Sequence, residues 1–362
     1  MSKRLAGIHL PRRNMRILIV KLSAVGDVVH ALPVLNALRT QLPDAHLGWA
    51  VHPGAANLLE GHPQLDELIV LPRRLPQYGG LAGFRKIVGN LRGRNGAWDA
   101  AIDLQGLTKS GLVTRLSGAK KRIGFAGKAS RELNGFFMNR RIQPLSTAVI
   151  QMNMELLSAL DLVSDGPAEA VLHTTADDDA RVDDWARTAG VAGVRFVVLD
   201  AFAGWPSKLW PDESWIGTAG LLHQQHGLRP LLFHGPGERA HAEALAARMP
   251  ATVGPVVAPD TTLRQYVSLL RKHAKLVIAA DTGPMHMAAA IGMPTIALFG
   301  PSDSRRNAPT FSNARYRALQ DFTQPCAGTF TRLCKFHKPG ECMATLRPDH
   351  VAEAVQQLFG MG

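Results

Sequence analysis

Short β-branched apolar runs alternate with stretches of helical spacing along nearly the whole chain, and this alternation limits the fold more than any other feature. Arg16-Ile-Leu-Ile-Val-Lys21 has the character of a buried parallel strand. A small-residue turn, Ser23-Ala-Val-Gly-Asp27, leads into apolar positions Val28, Leu32, Leu35 and Leu38, whose spacing of three and four predicts a helix over 28–42. Strand candidates follow at 45–51, 67–71 and 99–104. A second series opens after the acidic stretch 174–184, with strands expected at 194–200, 230–234, 274–280 and 294–299. Helices are expected between them at 212–226, 238–249 and 284–291, and a last amphipathic helix over 349–359 follows Pro348. Strands that alternate with helices in this way pair in parallel, because each crossover helix must lie on a sheet face.

Two such series in 362 residues predict two α/β domains with a central cleft, since one core rarely grows past roughly 250–300 residues. The expected divisions are a basic extension over 1–14, a first domain over 15–170, a second over 171–345 and a C-terminal helix over 346–362. No apolar run approaches the ~20 residues of a membrane span, and the first 14 residues lack the apolar core of a secretory signal. A cytoplasmic location is therefore expected. Charge is divided unequally: residues 1–150 hold 22 Lys+Arg against 8 Asp+Glu, and the remainder 19 against 21. Such an imbalance speaks to partners: nucleic acid, a membrane surface or a phosphorylated substrate.

Three stretches are candidates for chemistry. Asp27 stands where a strand hands over to a helix, at the carboxyl edge of a parallel sheet, where ligands bind in open α/β folds; an N-cap role is the structural alternative. Asp281-Thr-Gly-Pro-Met-His286 repeats that arrangement. Its helix start offers backbone N–H groups to a pyrophosphate, with His286 in the first turn. Lys208 lies in a loop rich in proline and tryptophan and could serve a phosphate as a point charge. Neither a GxxxxGK[ST] loop nor a GxGxxG turn is present, which disfavours a P-loop NTPase and a dehydrogenase. Cys326, Cys334 and Cys342 fall within one stretch with His337; a metal there is conceivable, although no CxxC pair occurs.

The runs ILIVKLSAVGDVVHALPVLNAL, DLQGLTKSGL and DTGPMHMAAAIGMPTIALFGPSD together resemble the lipopolysaccharide heptosyltransferases of glycosyltransferase family 9. The similarity extends from about Met15 to the C-terminal helix. It implies a GT-B fold of two Rossmann-like domains, the first binding acceptor and the second ADP-heptose. It also implies an inverting transfer with no required cofactor. By the same resemblance Asp27 is the general base, and Lys21 lines the acceptor side. Lys208, Glu238, Asp281, Thr282, Gly283 and His286 belong to the donor site. There are departures: Ala203 and Gly204 stand where relatives often carry hydroxyl residues ahead of the loop lysine, a histidine common in the family is replaced within 149–153, and the tail holds only three cysteines.

An acceptor of the Kdo–lipid A type, anionic and held at the inner face of the inner membrane, gives the basic first part a purpose. Lys109, Lys128 and Arg131 are its candidate contacts. Heptosylated core or a protein hydroxyl are alternative acceptors. A basic nucleic-acid-binding module is the alternative from another class, but no aromatic-rich RNP-like strand or zinc-finger spacing supports it, so no nucleic-acid partner is expected.

Overall fold

The computed structural model describes residues 15–73, 80–93, 96–334, 336, 338 and 340–360. The expected basic extension over 1–14 and His337 lie outside the described residues.

Two six-stranded sheets form, each wholly parallel. The first contains β1 (Arg16–Val20), β2 (His46–Val51), β3 (Glu67–Val70), β4 (Ala100–Asp103), β5 (Lys121–Phe125) and β6 (Arg140–Ile142), in the order β3-β2-β1-β4-β5-β6. The second contains β7 (Phe196–Asp200), β8 (Arg229–Phe233), β9 (Val256–Val257), β10 (Ala274–Ala280), β11 (Thr295–Phe299) and β12 (Tyr316–Gln320), in the order β12-β11-β10-β7-β8-β9. Counted from its own first strand, each sheet runs 3-2-1-4-5-6. That order reverses direction between the first and fourth strands, the place at which open α/β sheets bind ligands beyond their carboxyl ends.

Residues Met1–Leu22, Val34–Pro144 and Met154–Gly166 make one compact unit; Ser23–Pro33, Leu145–Asn153 and Pro167–Gly362 make the other. Two stretches that the sequence places in the first half thus belong to the second unit. The first core gathers Leu18, Val20, Leu22, Ala50, Ile69, Trp98 and Ala101. In the second, Val197, Leu199, Leu232, Leu276, Ile278 and Leu298 pack with Trp215 and Leu222 of the Asp212–His226 helix. Val351, Val355 and Leu358 of the Pro348–Phe359 helix complete it. Full burial of such side chains stabilises by roughly 1.5–3 kcal/mol each.

The helix predicted over 28–42 is two helices, Val25–Val29 and Leu32–Gln41. Pro33 explains the break: it has no N–H to donate and is tolerated only in a first helical turn, where it now lies. The break leaves a short helix, Val25–Val29, carrying Asp27.

Candidate functional site

The second unit builds its site at the switch in strand order between β7 and β10. Asp200 ends β7, and Asp281 and Thr282 follow β10 into the Gly283–Ala290 helix. Thr282 is the N-cap residue, yet its hydroxyl donates to Asp200 Oδ2 at 2.6 Å and provides no side-chain cap. The positive end of the helix dipole is therefore left to other groups, an arrangement suited to an anion.

The Val25–Val29 helix packs directly on this turn. A Cβ at Gly26 would lie 2.7 Å from His286 Cδ2, and one at Gly283 would lie 2.8 Å from Val25 Cγ1. Only glycine permits that approach at both positions. Asp27 follows Gly26, partly exposed, and its Oδ2 accepts from the Ala24 N–H at 3.0 Å. It thus performs the capping expected of a first-turn carboxylate, one residue after the glycine that meets the helix start of the β10 turn.

A buried polar chain ties the two segments together. His30 Nε2 and His286 Nδ1 are 2.8 Å apart, and His286 Nε2 lies 3.0 Å from Asp281 Oδ1. The Lys208 ammonium donates to Asp281 Oδ2 and to the Asp281 carbonyl, both at 2.7 Å, and Asn307 Nδ2 reaches the same carboxylate at 3.3 Å. Lys208 also lies 4.9 Å from the Trp205 ring centroid, a cation–π distance. Behind His30, Asn153 Nδ2 donates to the His30 carbonyl at 3.1 Å. An ionised Asp281 accepts only, so His286 Nε2 carries its proton.

The two carboxylates are poised oppositely. Burial acts to raise the Asp281 pKa, but the His286 hydrogen bond and the Lys208 charge outweigh it and hold the group well below the carboxylate range. Burial pushes Asp200 up to about 7; the Thr282 hydroxyl opposes the rise and the Glu238 charge adds to it. Glu238 lies in the turn between β8 and the Arg239–Arg248 helix, with Oε2 accepting from the Gly235 N–H at 2.7 Å.

The model of glycosyltransferase family 9 (heptosyltransferase) matches residues 85–338. The chain belongs to glycosyltransferase family 9. Lipopolysaccharide heptosyltransferase 1 of Salmonella typhimurium is 31% identical over 323 residues, covering 80% of this chain and 89% of that protein. Its Pseudomonas aeruginosa counterpart is 28% identical over 377 residues, covering 95% and 98%. Among solved structures, the family 9 glycosyltransferase of Veillonella parvula superposes with a TM-score of 0.82 at 20% identity, over 98% of this chain and 99% of that one. E. coli heptosyltransferase WaaC with ADP-2-deoxy-2-fluoro heptose gives 0.71 at 26% identity, over 95% and 99%. The two Rossmann-like units are those of a GT-B enzyme, and membership of family 9 decides for a glycosyltransferase over the nucleic-acid-binding module.

The family 9 turn gathers Lys208, Asp281, Thr282, Gly283 and His286 in one place, with Glu238 linked to them through its effect on Asp200. His286 differs from expectation in one respect: both ring nitrogens are engaged inside the protein, so the imidazole orients Asp281 and His30 and has no N–H to spare for a phosphate. His30, Asp200 and Asn307 were missed by sequence reasoning. The spacing of His30 three residues after Asp27 was the available signal for the first. In the first unit Lys21 is buried, its ammonium donating to the Leu104 carbonyl at 2.7 Å, which joins the ends of β1 and β4. Lys109, Lys128 and Arg131 are exposed. Cys326 and Cys342 are buried and Cys334 is partly so. Burial and the neighbouring Cys342 raise the Cys326 thiol, and among the described residues no group of three potential metal ligands is found.

Proposed function

We propose that this enzyme transfers heptose from ADP-heptose to a Kdo hydroxyl of the lipopolysaccharide inner core, with inversion. The observation that carries the reading is the close packing of the Asp27 helix on the β10 turn, through Gly26 and Gly283, with the 2.8 Å His30–His286 contact behind it. The relatives named lipopolysaccharide heptosyltransferase 1 support the acceptor class, and the WaaC neighbour bound to an ADP-heptose analogue supports the donor.

In this scheme the ADP diphosphate lies on the start of the Gly283–Ala290 helix, against the backbone of Thr282 and Gly283, with Lys208 beside it and Glu238 toward the nucleoside. The Asp27 carboxylate takes the proton from the acceptor hydroxyl as its oxygen attacks the anomeric carbon. The bond from that carbon to the phosphate oxygen breaks, and ADP departs with the electron pair. Charge growing on ADP is met by the helix N–H groups and Lys208, fixed before the reaction begins. The scheme calls for no cofactor. The exposed cations of the first unit, Lys109, Lys128 and Arg131, suit an anionic glycolipid at the cytoplasmic face of the inner membrane. Among the described residues no helix is long and apolar enough to cross a membrane.

The test is ADP release from ADP-heptose with Kdo-lipid A or its deacylated form, for wild type and Asp27→Ala. A positioned base typically contributes 10²–10⁴-fold. Turnover should therefore fall by at least about 10²-fold while ADP binding is retained. Equal loss of turnover and ADP binding would remove Asp27 from the role of base. Release only with heptosylated core or a protein would move the acceptor and keep the donor site.

A further inference from the structure

The basic surface of the first unit carries a feature that charge alone does not require. Between residues 105 and 144 there are nine Lys+Arg and a single acidic residue, Glu132. Within that segment Phe136 is 85% exposed and Leu133 56%, with Leu112 at 46% on the Thr108–Leu116 helix. A lone exposed leucine is ordinary. Apolar side chains held in a rigid loop among cations are not, because nothing in water rewards fixing them outward.

The loop is held from below. Buried Asp103, at the end of β4, accepts from the Gln105 and Gly106 N–H groups, from Ser110 Oγ and from Asn134 Nδ2 at 2.7–3.0 Å. Asn134 also donates to the Leu107 carbonyl at 2.9 Å, and Arg122 Nε donates to the Phe137 carbonyl at 2.7 Å. Leu133 and Phe136 thus flank a buried anchor. At the tip, Glu132 takes a left-handed backbone, φ 55°, and its carboxylate accepts from the Thr108 N–H at 3.0 Å. That bond spends the loop's acidic group on the protein itself. Cations surround the tip: Arg131 and Lys109 are near enough to act on the Glu132 carboxylate, and the Arg141 guanidinium lies 3.5 Å from where a Gly135 Cβ would stand.

We infer that loop 126–138 is a membrane-docking element: Leu133 and Phe136 enter the acyl boundary of an anionic leaflet while Lys109, Arg131 and Arg141 meet its phosphates. Charge complementarity selects this occupant. A rim of cations around an apolar tip matches the phosphate layer above the acyl chains of a bilayer, layer for layer. The inference needs no particular acceptor or donor. It adds to the proposed reaction a means of holding the enzyme where a glycolipid acceptor is anchored.

The experiment is co-sedimentation of the full chain with vesicles of phosphatidylethanolamine and phosphatidylglycerol, against vesicles of phosphatidylcholine. Wild type should bind the anionic vesicles. Leu133→Ser with Phe136→Ser should weaken that binding by at least about tenfold at constant salt, as expected for withdrawing two large apolar side chains. Turnover on the deacylated, soluble acceptor should be unchanged, which shows that the variant folds. In a second measurement, Phe136→Trp should shift its emission to the blue on anionic vesicles and be quenched by brominated acyl chains. Failure of wild type to bind, undiminished binding by the double variant, or an unshifted tryptophan would each overturn the docking element. Wild-type self-association relieved by the double variant, without vesicle binding, would reassign the patch to a protein interface and equally overturn it. Loss of glycolipid turnover for reasons of acceptor identity would leave the vesicle result untouched.

Discussion

Gly26 and Gly283 each leave room for one neighbour, and a methyl group would have to displace the His286 ring at the first and Val25 at the second. The His30–His286 contact lies behind that same junction, so His30 acts as a positioning residue for the Asp27 helix. His30→Ala should lower kcat by about 10–100-fold, since a displacement near 1 Å in a reacting geometry costs on that order. ADP affinity should stay within about threefold, and His30→Gln, whose amide can donate or accept, should recover part of kcat. A parallel loss of ADP affinity would mark His30 as a donor-site residue and refute the positioning role. The buried carboxylates give a second prediction. Asp281 is held below its unfolded pKa, so it contributes stability above the ordinary carboxylate range and loses it as pH falls through and below that range. Asp200 is raised to about 7, so the native state keeps a proton that the unfolded chain releases, and stability declines as pH rises from about 4 to 7. Urea denaturation of Asp200→Asn should show that decline flattened; an unchanged slope would exclude Asp200 as its source. Asp27, Lys208 and the β10 turn were readable because short motifs carry them. Asp200 was not, since it reads as the last residue of an apolar strand and becomes chemical only when β10 is laid beside it.

Strands and helices were legible in proportion to their burial. The central strands β1, β4, β7, β10 and β11 are apolar nearly throughout and were expected within about two residues of where they lie. The edge elements β6, β9 and β12 were missed, as was β5. Arg140 and Arg141 of β6 are exposed and Tyr316–Gln320 is half-buried throughout, so these sequences carry arginines in place of the continuous apolar run. The two-residue β9 has no pattern to read. A capped helix start went unread: the Leu263–His273 helix was not expected from the sequence, although its first turn is closed by side chains. Thr262 accepts from the Gln265 N–H at 3.2 Å and Gln265 returns a bond to the Thr262 N–H at 3.0 Å, the reciprocal capping box. Thr262→Ala should cost about 1 kcal/mol in denaturant stability, with the Leu263–His273 helix otherwise retained by its buried face of Tyr266, Val267 and Leu270. A change below the error of the measurement would show that this cap is redundant.

At the scale of the whole molecule, the division of charge sets how the enzyme responds to its medium. Turnover on vesicle-borne acceptor should fall several-fold as ionic strength rises from about 0.05 to 0.3 M, because exposed cations are screened within roughly a Debye length. ADP binding should change much less, since the Lys208–Asp281 pair is buried. A flat response on vesicles would count against electrostatic attachment. The second unit is also discontinuous in the chain: Ser23–Pro33 belongs to it, and His30 meets a partner 256 residues later. On the ribosome, that separation corresponds to a delay on the order of 13–50 s at usual elongation rates. Throughout it Val28 and Val29, fully buried in the finished protein, have emerged before most of the unit they belong to exists. Synthesis therefore leaves an early apolar segment waiting on a late one, and that segment is where a nascent-chain chaperone would hold on longest.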